Sequence, residues 1–445
     1  MRRWAPRLPA AASLAGACRA PSKTHSTPAE SGSCAARRRH TMSGNRAADP
    51  RCPRAPARRE AEGGTVAATV HARDPLVTED IGRALAEMEF GSPPAVTRAL
   101  GAALDREELG YLGAAEIDRL QAAVGGWLRD SYSWTPPVDA IRPVADLVAG
   151  FRAILTHFVP EGEPIIVPTP GYMPFLSVPP TIGRPVIEVP MLATDSGWRY
   201  DFDGLRRAFA RGARLLVLCN PHNPIGKVAV ESELAEIERI VDEFDGIVLA
   251  DEIHAPLVLG DAPHIVYAAR SPRAAAHTIT ATSATKAFNI PGTKCGQLIF
   301  TNPQHLARWA EVGHWYEHQT SVLGVVATEA AYRGGRAWLG ETVEALRASV
   351  SEALAVLEAA EGRTGIRVRR PEATYLLWID LRETGLLREG VCAARALREA
   401  SHLVVTDGAD CGEAGRGFVR FNAALPREHV REAMERLIRA AEDAG

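Results

Sequence analysis

The sequence predicts an α/β protein: a large domain with a mainly parallel central sheet sandwiched by helices, plus a smaller α+β domain. Three observations predict it. Short apolar, β-branched runs recur at 164–168, 185–190, 214–219, 246–250, 278–281 and 297–300, with helix-like runs such as 231–244 between several of them. Strands covered on both faces read as such continuous apolar runs, and their alternation with helices indicates a parallel or mixed sheet. After Pro303 the pattern is mainly helical over 304–332 and 336–361. It then mixes strands at 375–381, near 403–406 and at 418–421 with helices at 392–400 and 427–441. Finally, 445 residues with 46% hydrophobic and 24% charged side chains leave room for one large domain and a smaller one. The boundaries expected are 106–329 for the large domain and 67–105 with 330–445 for the small one, with a site in the cleft between them.

Residues 1–66 stand apart. Arg, Ala, Pro and Ser dominate there, and residues 1–64 carry 13 Lys or Arg against 4 Asp or Glu. Such a segment buries too little apolar surface to offset its chain entropy and is read as a disordered extension. Its arginine-rich start has the composition of a targeting peptide, and Arg37-Arg38-Arg39-His40 could touch phosphates. A dispensable extension with translation starting at Met42 is the preferred reading, because charge runs are usually solvated.

Bulk charge and composition exclude other classes. A formal net charge of -3 gives no reason to expect nucleic acid, and no apolar run approaches the roughly 20 residues of a membrane helix. The seven cysteines (Cys18, Cys34, Cys52, Cys219, Cys295, Cys392, Cys411) are odd in number and form no CxxC pair. That points to a reducing, cytoplasmic setting and away from a disulfide framework or a metal site.

Taken in order, residues 74–104 read as helical, with Pro93-Pro94 starting a new helix. Leu109-Gly110-Tyr111-Leu112-Gly113 reads as a turn with an exposed aromatic, for which a site role and simple packing are both open, and 117–132 as an amphipathic helix. Arg142-Pro143-Val144-Ala145-Asp146 precedes the helical run 147–158, whose free N–H groups make a natural phosphate seat.

Four positions then carry chemistry, three of them at the C-terminal ends of presumed central strands, where ligands of open α/β sheets collect. The run 214–219 exits through Asn220-Pro221-His222-Asn223-Pro224, a sharp turn with amides at its tip, although an ordinary turn would look the same. The run 246–250 ends in Asp251-Glu252-Ile253-His254. A carboxylate there is costly unless it faces a cation, such as a pyridinium nitrogen, or caps a helix. The stretch 277–297 leads through Ser283-Ala284-Thr285 to Lys286 and on to Phe288-Asn289-Ile290-Pro291-Gly292 and Lys294. A lone lysine after a strand is ordinarily solvated, but one desolvated near other cations becomes a usable amine. In the second domain, Arg420 sits among apolar neighbours in Gly417-Phe418-Val419-Arg420-Phe421-Asn422, as a clamp on a carboxylate or on a solvated strand face.

With these in hand, about 74–441 resembles the fold-type I pyridoxal phosphate (PLP) enzymes of the class I/II aminotransferase superfamily. The order aromatic, Asn-Pro-x-Gly, Asp, Lys, Arg is the family's. The resemblance implies the PLP-transferase fold and assigns roles. Lys286 is the lysine that forms a Schiff base with PLP, Asp251 the partner of the ring nitrogen, and Asn223 the donor to the ring hydroxyl. Tyr172, in Pro170-Gly171-Tyr172-Met173, is the stacking aromatic, Arg420 the clamp on the substrate α-carboxylate, and Ser283 and Lys294 phosphate contacts. Ala145 and Asp146 stand at the phosphate turn. Tyr111 resembles the tyrosine that reaches the phosphate across a dimer interface, implying a homodimer with shared sites.

Within the superfamily the chain is most similar to the cystathionine β-lyase-like C–S lyases. His254 stands where most aminotransferases carry tyrosine and helps tune the ring hydroxyl. The blocks Ala86-Glu87-Met88-Glu89-Phe90 and Glu372-Ala373-Thr374-Tyr375-Leu376-Leu377-Trp378 belong to the same branch. The implied activity is β-elimination from cystathionine or another cysteine S-conjugate, with aminotransferase as the alternative, a decarboxylating or oxidative variant less favoured and a PLP-binding regulator ranked low. Two departures stand out. The turn Val144-Ala145-Asp146 lacks the usual Gly or Ser/Thr and adds an anion, and the segment before Ala86 is short for the branch.

Overall fold

The computed structural model describes residues 86–445, which lie within one compact unit, Ala61–Gly445. The expectations for the 1–66 extension and for the start of the helical pattern at Asp74 fall outside the described residues.

Thirteen strands order the described chain. They are β1 (Ile141–Val144), β2 (Ile165–Thr169), β3 (Val186–Pro190), β4 (Leu192–Thr194), β5 (Gly197–Arg199), β6 (Leu215–Cys219), β7 (Ile247–Asp251), β8 (Thr278–Thr282), β9 (Gly296–Phe300), β10 (Arg367–Val368), β11 (Leu376–Asp380), β12 (Thr406–Asp407) and β13 (Phe418–Asn422). Seven form one sheet in the order β1-β9-β8-β7-β6-β2-β3. From β8 to β3 every neighbouring pair is parallel, whereas β9 is antiparallel to both β8 and β1. All five residues of β2, β6, β7, β8 and β9 are buried, as strands with helices on both faces must be. The predicted mainly parallel sheet is therefore present.

Strand direction decides what meets what. Because β1 is two antiparallel steps from β8, it points the same way as the parallel strands. The C-terminal ends of β1, β2, β6, β7 and β8 and the start of β9 thus share one edge. Register ties them together: Cys219 lies beside Asp251, Asp251 beside Ala281, Thr282 beside Gln297, and Gly296 beside Val144.

A second sheet, β10-β11-β13-β12, is antiparallel throughout and puts Arg420 between Trp378 and Thr406. Its core of Leu377, Val419, Phe421, Val430 and Leu437 packs under the helices Arg336–Glu358 and Arg427–Ala444.

One expectation needs correction. Of the helical pattern read over 74–104, the described part is helical only as Pro94–Asp105, and residues 86–93 are irregular backbone. Gly91 takes φ 75, and Ser92 precedes two prolines, which push backbone out of the α region and then open a helix at N1. The sequence reading also passed over β1. Pro143 lies within it, and proline is tolerated there because β1 is an edge strand. The three-residue strands of the hairpin β4–β5 were likewise not anticipated.

Phe288 fixes the layer behind the sheet edge. It is fully buried, with ring centroids 5.7 Å from Trp127, 5.9 Å from Tyr332 and 6.4 Å from Trp338. Phe288→Ala is expected to cost about 3–5 kcal/mol of stability, read as a lower midpoint of urea unfolding. An unchanged midpoint would show that these rings repack without it.

Candidate active site

The shared sheet edge collects the residues singled out by sequence. Asp251 ends β7, buried, and the one hydrogen bond of its carboxylate among the described residues comes from the Ile253 N–H at 3.2 Å. Burial pushes its carboxyl up to about 7; neighbouring Glu252 adds to the rise, while the Ile253 N–H and Lys286 oppose it. The cap alternative does not hold, since no helix begins at Asp251. Lys286 follows β8 in a single helical turn, Ala284–Ala287. Burial and the charge of Arg420 lower its amine to about 8, against the opposing fields of Glu87 and Asp251.

His254 feels both cations. Burial, then Lys286 and Arg420, push its ring down to about 3, so it is neutral. Its Nδ1 is buried without a hydrogen-bond partner among the described residues, and its ring meets the Tyr375 ring edge-on at 6.2 Å. Tyr172, on the loop after β2, is held in place from both sides. The His222 ring bonds the Pro170 carbonyl at 2.8 Å, and Gly171 N–H donates to the Cys411 carbonyl at 2.7 Å. Burial and the Asp251 charge raise the Tyr172 hydroxyl, with Arg420 opposing, so the fields of both reach it.

Arg420 arrives from the second sheet. It is buried and donates to Asn223 Oδ1 at 3.1 Å and Thr406 Oγ1 at 3.1 Å, with Met173 Sδ at 3.7 Å. The solvated-face alternative is thereby excluded. A guanidinium only donates, so the Asn223 atom facing it is the oxygen, which leaves the Asn223 amide nitrogen as a donor. Burial lowers the Arg420 pKa, opposed by Cys411 and the nearby tyrosines.

The phosphate side is assembled differently from expectation. Asp146 caps the helix Leu147–Phe158 by accepting from Ala149 N–H at 2.8 Å, with Ala145 just before it, and Lys294 pairs with Asp146 at 2.8 Å. Burial raises the Asp146 carboxyl, but Lys294 and the capping N–H groups outweigh it and hold it below the usual range. Ser283, also at this edge and buried, turns its hydroxyl to the Cys295 carbonyl at 2.8 Å and to Thr285 Oγ1 at 2.9 Å. Tyr111 is not gathered with the others. It is 87% exposed and stacks on His318 with ring centroids 5.2 Å apart.

The sequence reading missed a strap across the site. Lys286 Nζ donates to the Ala86 carbonyl at 2.8 Å, and so does Tyr375 Oη at 2.9 Å. Asn289, with φ 53, accepts from Met88 N–H at 2.9 Å and donates to the Met88 and Gly91 carbonyls, each at 2.8 Å. Asn422 donates to the Glu87 carbonyl at 2.7 Å. The signal was present only as motifs, Ala86 to Phe90, Phe288 to Gly292 and Glu372 to Trp378, with no visible reason for their company.

The set fits the expected cofactor. A buried carboxylate with one backbone donor suits a cationic ring nitrogen, Asn223 offers an amide donor, and a lysine amine stands within the field of that carboxylate. The helix N-terminus after β1 offers N–H groups to an anion.

Comparison with known proteins agrees. The family model for aminotransferase class I and II matches residues 84–437. The chain is 34% identical over 335 residues to a cystathionine beta-lyase of Corynebacterium glutamicum, covering 75% of this chain and 86% of that protein. Among solved structures it is similar to cystalysin from Treponema denticola, which contains a pyridoxal 5'-phosphate cofactor (TM-score 0.77, 29% identity, 84% and 94% of the two chains). It is also similar to the PLP-bound C–S lyase from Staphylococcus hominis (TM-score 0.78, 26% identity, 86% and 99%).

Asp251 makes a signed prediction for the cofactor-free protein. Its folded pKa of about 7 lies above the ordinary 3.8, so its contribution to stability is full below about pH 4 and is lost as pH rises through about 7. Asp251→Asn removes that loss. The melting temperature of the variant minus that of the wild type should grow from pH 4 to 7 and then level off; a flat difference would refute it.

Proposed function

The chain belongs to the class I and II aminotransferase family, and from that premise we propose that it is a PLP-dependent C–S β-lyase acting on cystathionine or another cysteine S-conjugate. The observation that carries the reading is the convergence of buried Asp251 and His254 and half-buried Lys286 at one sheet edge, faced by buried Arg420 from the second sheet, together with the lyase relatives. Pyridoxal phosphate, when bound, supplies a cationic ring that accepts the electron pair left when a substrate α-proton is removed.

The side chains divide the remaining work. Arg420, fixed by Asn223 and Thr406, binds the substrate α-carboxylate. Asp251 would hold the ring nitrogen in its protonated form, a cation that compensates the buried carboxylate. The Asn223 amide would donate to the ring hydroxyl, with neutral His254 and Tyr172 as the other ring-side residues. Helix N–H groups behind Ala145 and Asp146, with Lys294 and Ser283, would hold the phosphate. Lys286 would take the substrate α-proton; an amine near pKa 8 can accept and return it at neutral pH. With sulfur on the β-carbon the C–S bond breaks and the sulfur leaves as thiolate. The net reaction consumes one water and yields a thiol, pyruvate and ammonium.

Incubation with PLP and cystathionine should release pyruvate and thiol in the absence of any keto acid, and Lys286→Ala should abolish both the visible cofactor absorbance and the release. Amine transfer seen only when a keto acid is added would establish the aminotransferase alternative instead.

We propose in addition that the protein is a cytoplasmic homodimer in which Tyr111 reaches the partner's phosphate seat. Leu109 and Tyr111 are 63% and 87% exposed on one loop, apolar surface that a second copy would cover. Sedimentation should give twice the chain mass, and Tyr111→Phe should weaken PLP binding while leaving that mass unchanged. A monomer that binds PLP fully would overturn this.

A further inference from the structure

The strap over the lysine does more than close the fold. Its first described residue, Ala86, presents one carbonyl to two donors, Lys286 Nζ at 2.8 Å and Tyr375 Oη at 2.9 Å. A carbonyl oxygen has two lone pairs, so both bonds are made at once. Tyr375 is fully buried just before β11, next to Thr374 at φ 71, so its hydroxyl is held from a rigid position at the start of the second sheet. The next residues are held as firmly. Asn422 bonds the Glu87 carbonyl, Glu89 N–H donates to the Ala424 carbonyl at 3.0 Å, and Asn289 bonds the backbone at Met88 and Gly91. Asn289 lies three residues beyond Lys286, so the turn that carries the lysine also carries the clamp on the strap. Its left-handed backbone is one that asparagine tolerates better than most residues.

Building on the reading of the chain as a PLP enzyme, we infer that the Ala86 carbonyl is the seat of the free Lys286 amine during proton transfer, and that Tyr375 and Asn289 are positioning residues that set this seat. A neutral amine has two N–H bonds and one lone pair. When one N–H is committed to a fixed acceptor, the lone pair can sample only rotations about that bond. A base must meet this condition to receive an α-proton from a substrate held by Arg420. The seat matters only while the amine is free, because a lysine nitrogen joined to the cofactor would no longer have the hydrogens and the rotational freedom of a free amine. This also accounts for the company of three sequence motifs that share no chemistry of their own: Ala86 brings the acceptor, Tyr375 its lock, and Asn289 the clamp on the segment behind it.

The test uses an amino acid that has no β-leaving group. Holoenzyme is incubated with L-alanine in D2O, loss of the α-proton signal is followed by NMR, and alanine binding is measured separately from the change in cofactor absorbance. Tyr375→Phe, which removes only the hydroxyl, and Asn289→Ala, which releases the strap, should each slow α-exchange at saturating alanine on the order of tenfold. The alanine dissociation constant and the resting absorbance should stay within about twofold of wild type, since Arg420 and Asp251 are untouched. The inference is overturned if exchange at saturation is unchanged in variants that retain cofactor, or if it falls only as far as alanine binding weakens. A wild type that exchanges alanine but forms no pyruvate from cystathionine would sink the lyase reading and leave the seat standing. A wild type that neither binds PLP nor exchanges would end both.

Discussion

Burial of opposite charges without direct pairing is the constraint on which the rest of this structure depends. Asp251 is buried and Lys286 half-buried, each feels the other's field, and yet among the described residues the Asp251 carboxylate accepts only from a backbone N–H and the Lys286 amine donates to a backbone carbonyl. Removing an ion from water costs several kcal/mol even after the protein relaxes, and a close ion pair would recover part of that cost. The fold forgoes that recovery. Both groups respond by shifting toward neutrality, Asp251 upward and Lys286 downward. A polar arrangement this unfavourable in isolation is stable only if the scaffold over-determines it, which is what strands buried on both faces provide.

The scaffold does so through direction and register. Parallel strands bring Asn223, Asp251 and Lys286 to one edge at fixed spacing, and the antiparallel step through β9 returns β1 to the same edge with the helix cap at Asp146. The second sheet could in principle slide against the first. Arg420 prevents this by bonding Asn223 from one sheet's loop and Thr406 from its own, and Asn422, two residues on, reaches the strap. The alignment of the two sheets and the path of the strap therefore rest on the same few side chains.

This explains which parts were legible in the sequence. Five central strands, β2, β6, β7, β8 and β9, were readable because they are buried on both faces and so lack a polar face, and Asp251 and Lys286 stood out because they break that pattern at its boundary. Family resemblance supplied their roles, and Arg420 emerged in the same way from an apolar strand. What was not legible depends on backbone atoms or on tertiary placement. No side chain announces that the Ala86 carbonyl receives Lys286. Residues 86–93 mimicked a helix in composition, but Gly91 and the prolines set their path. Ser283 has the right chemistry for a phosphate, yet its hydroxyl is committed to the Cys295 carbonyl, a partner 12 residues away that only the turn before β9 brings near.

The phosphate seat shows the same logic in its charge balance. Asp146 looked adverse to a phosphate, since it adds an anion where one is expected. In the fold its carboxylate is the helix cap and carries Lys294 with it, so the pair presents a nearly neutral rim, with the helix N–H groups behind it. Lys294 is more than half exposed and sits at φ 56, at a turn just before β9, so its long side chain can swing between Asp146 and a neighbouring anion at little cost. The anionic cap is thus already compensated, by the Ala149 N–H on one oxygen and by Lys294 on the other, and the positive end of the helix dipole adds to that compensation.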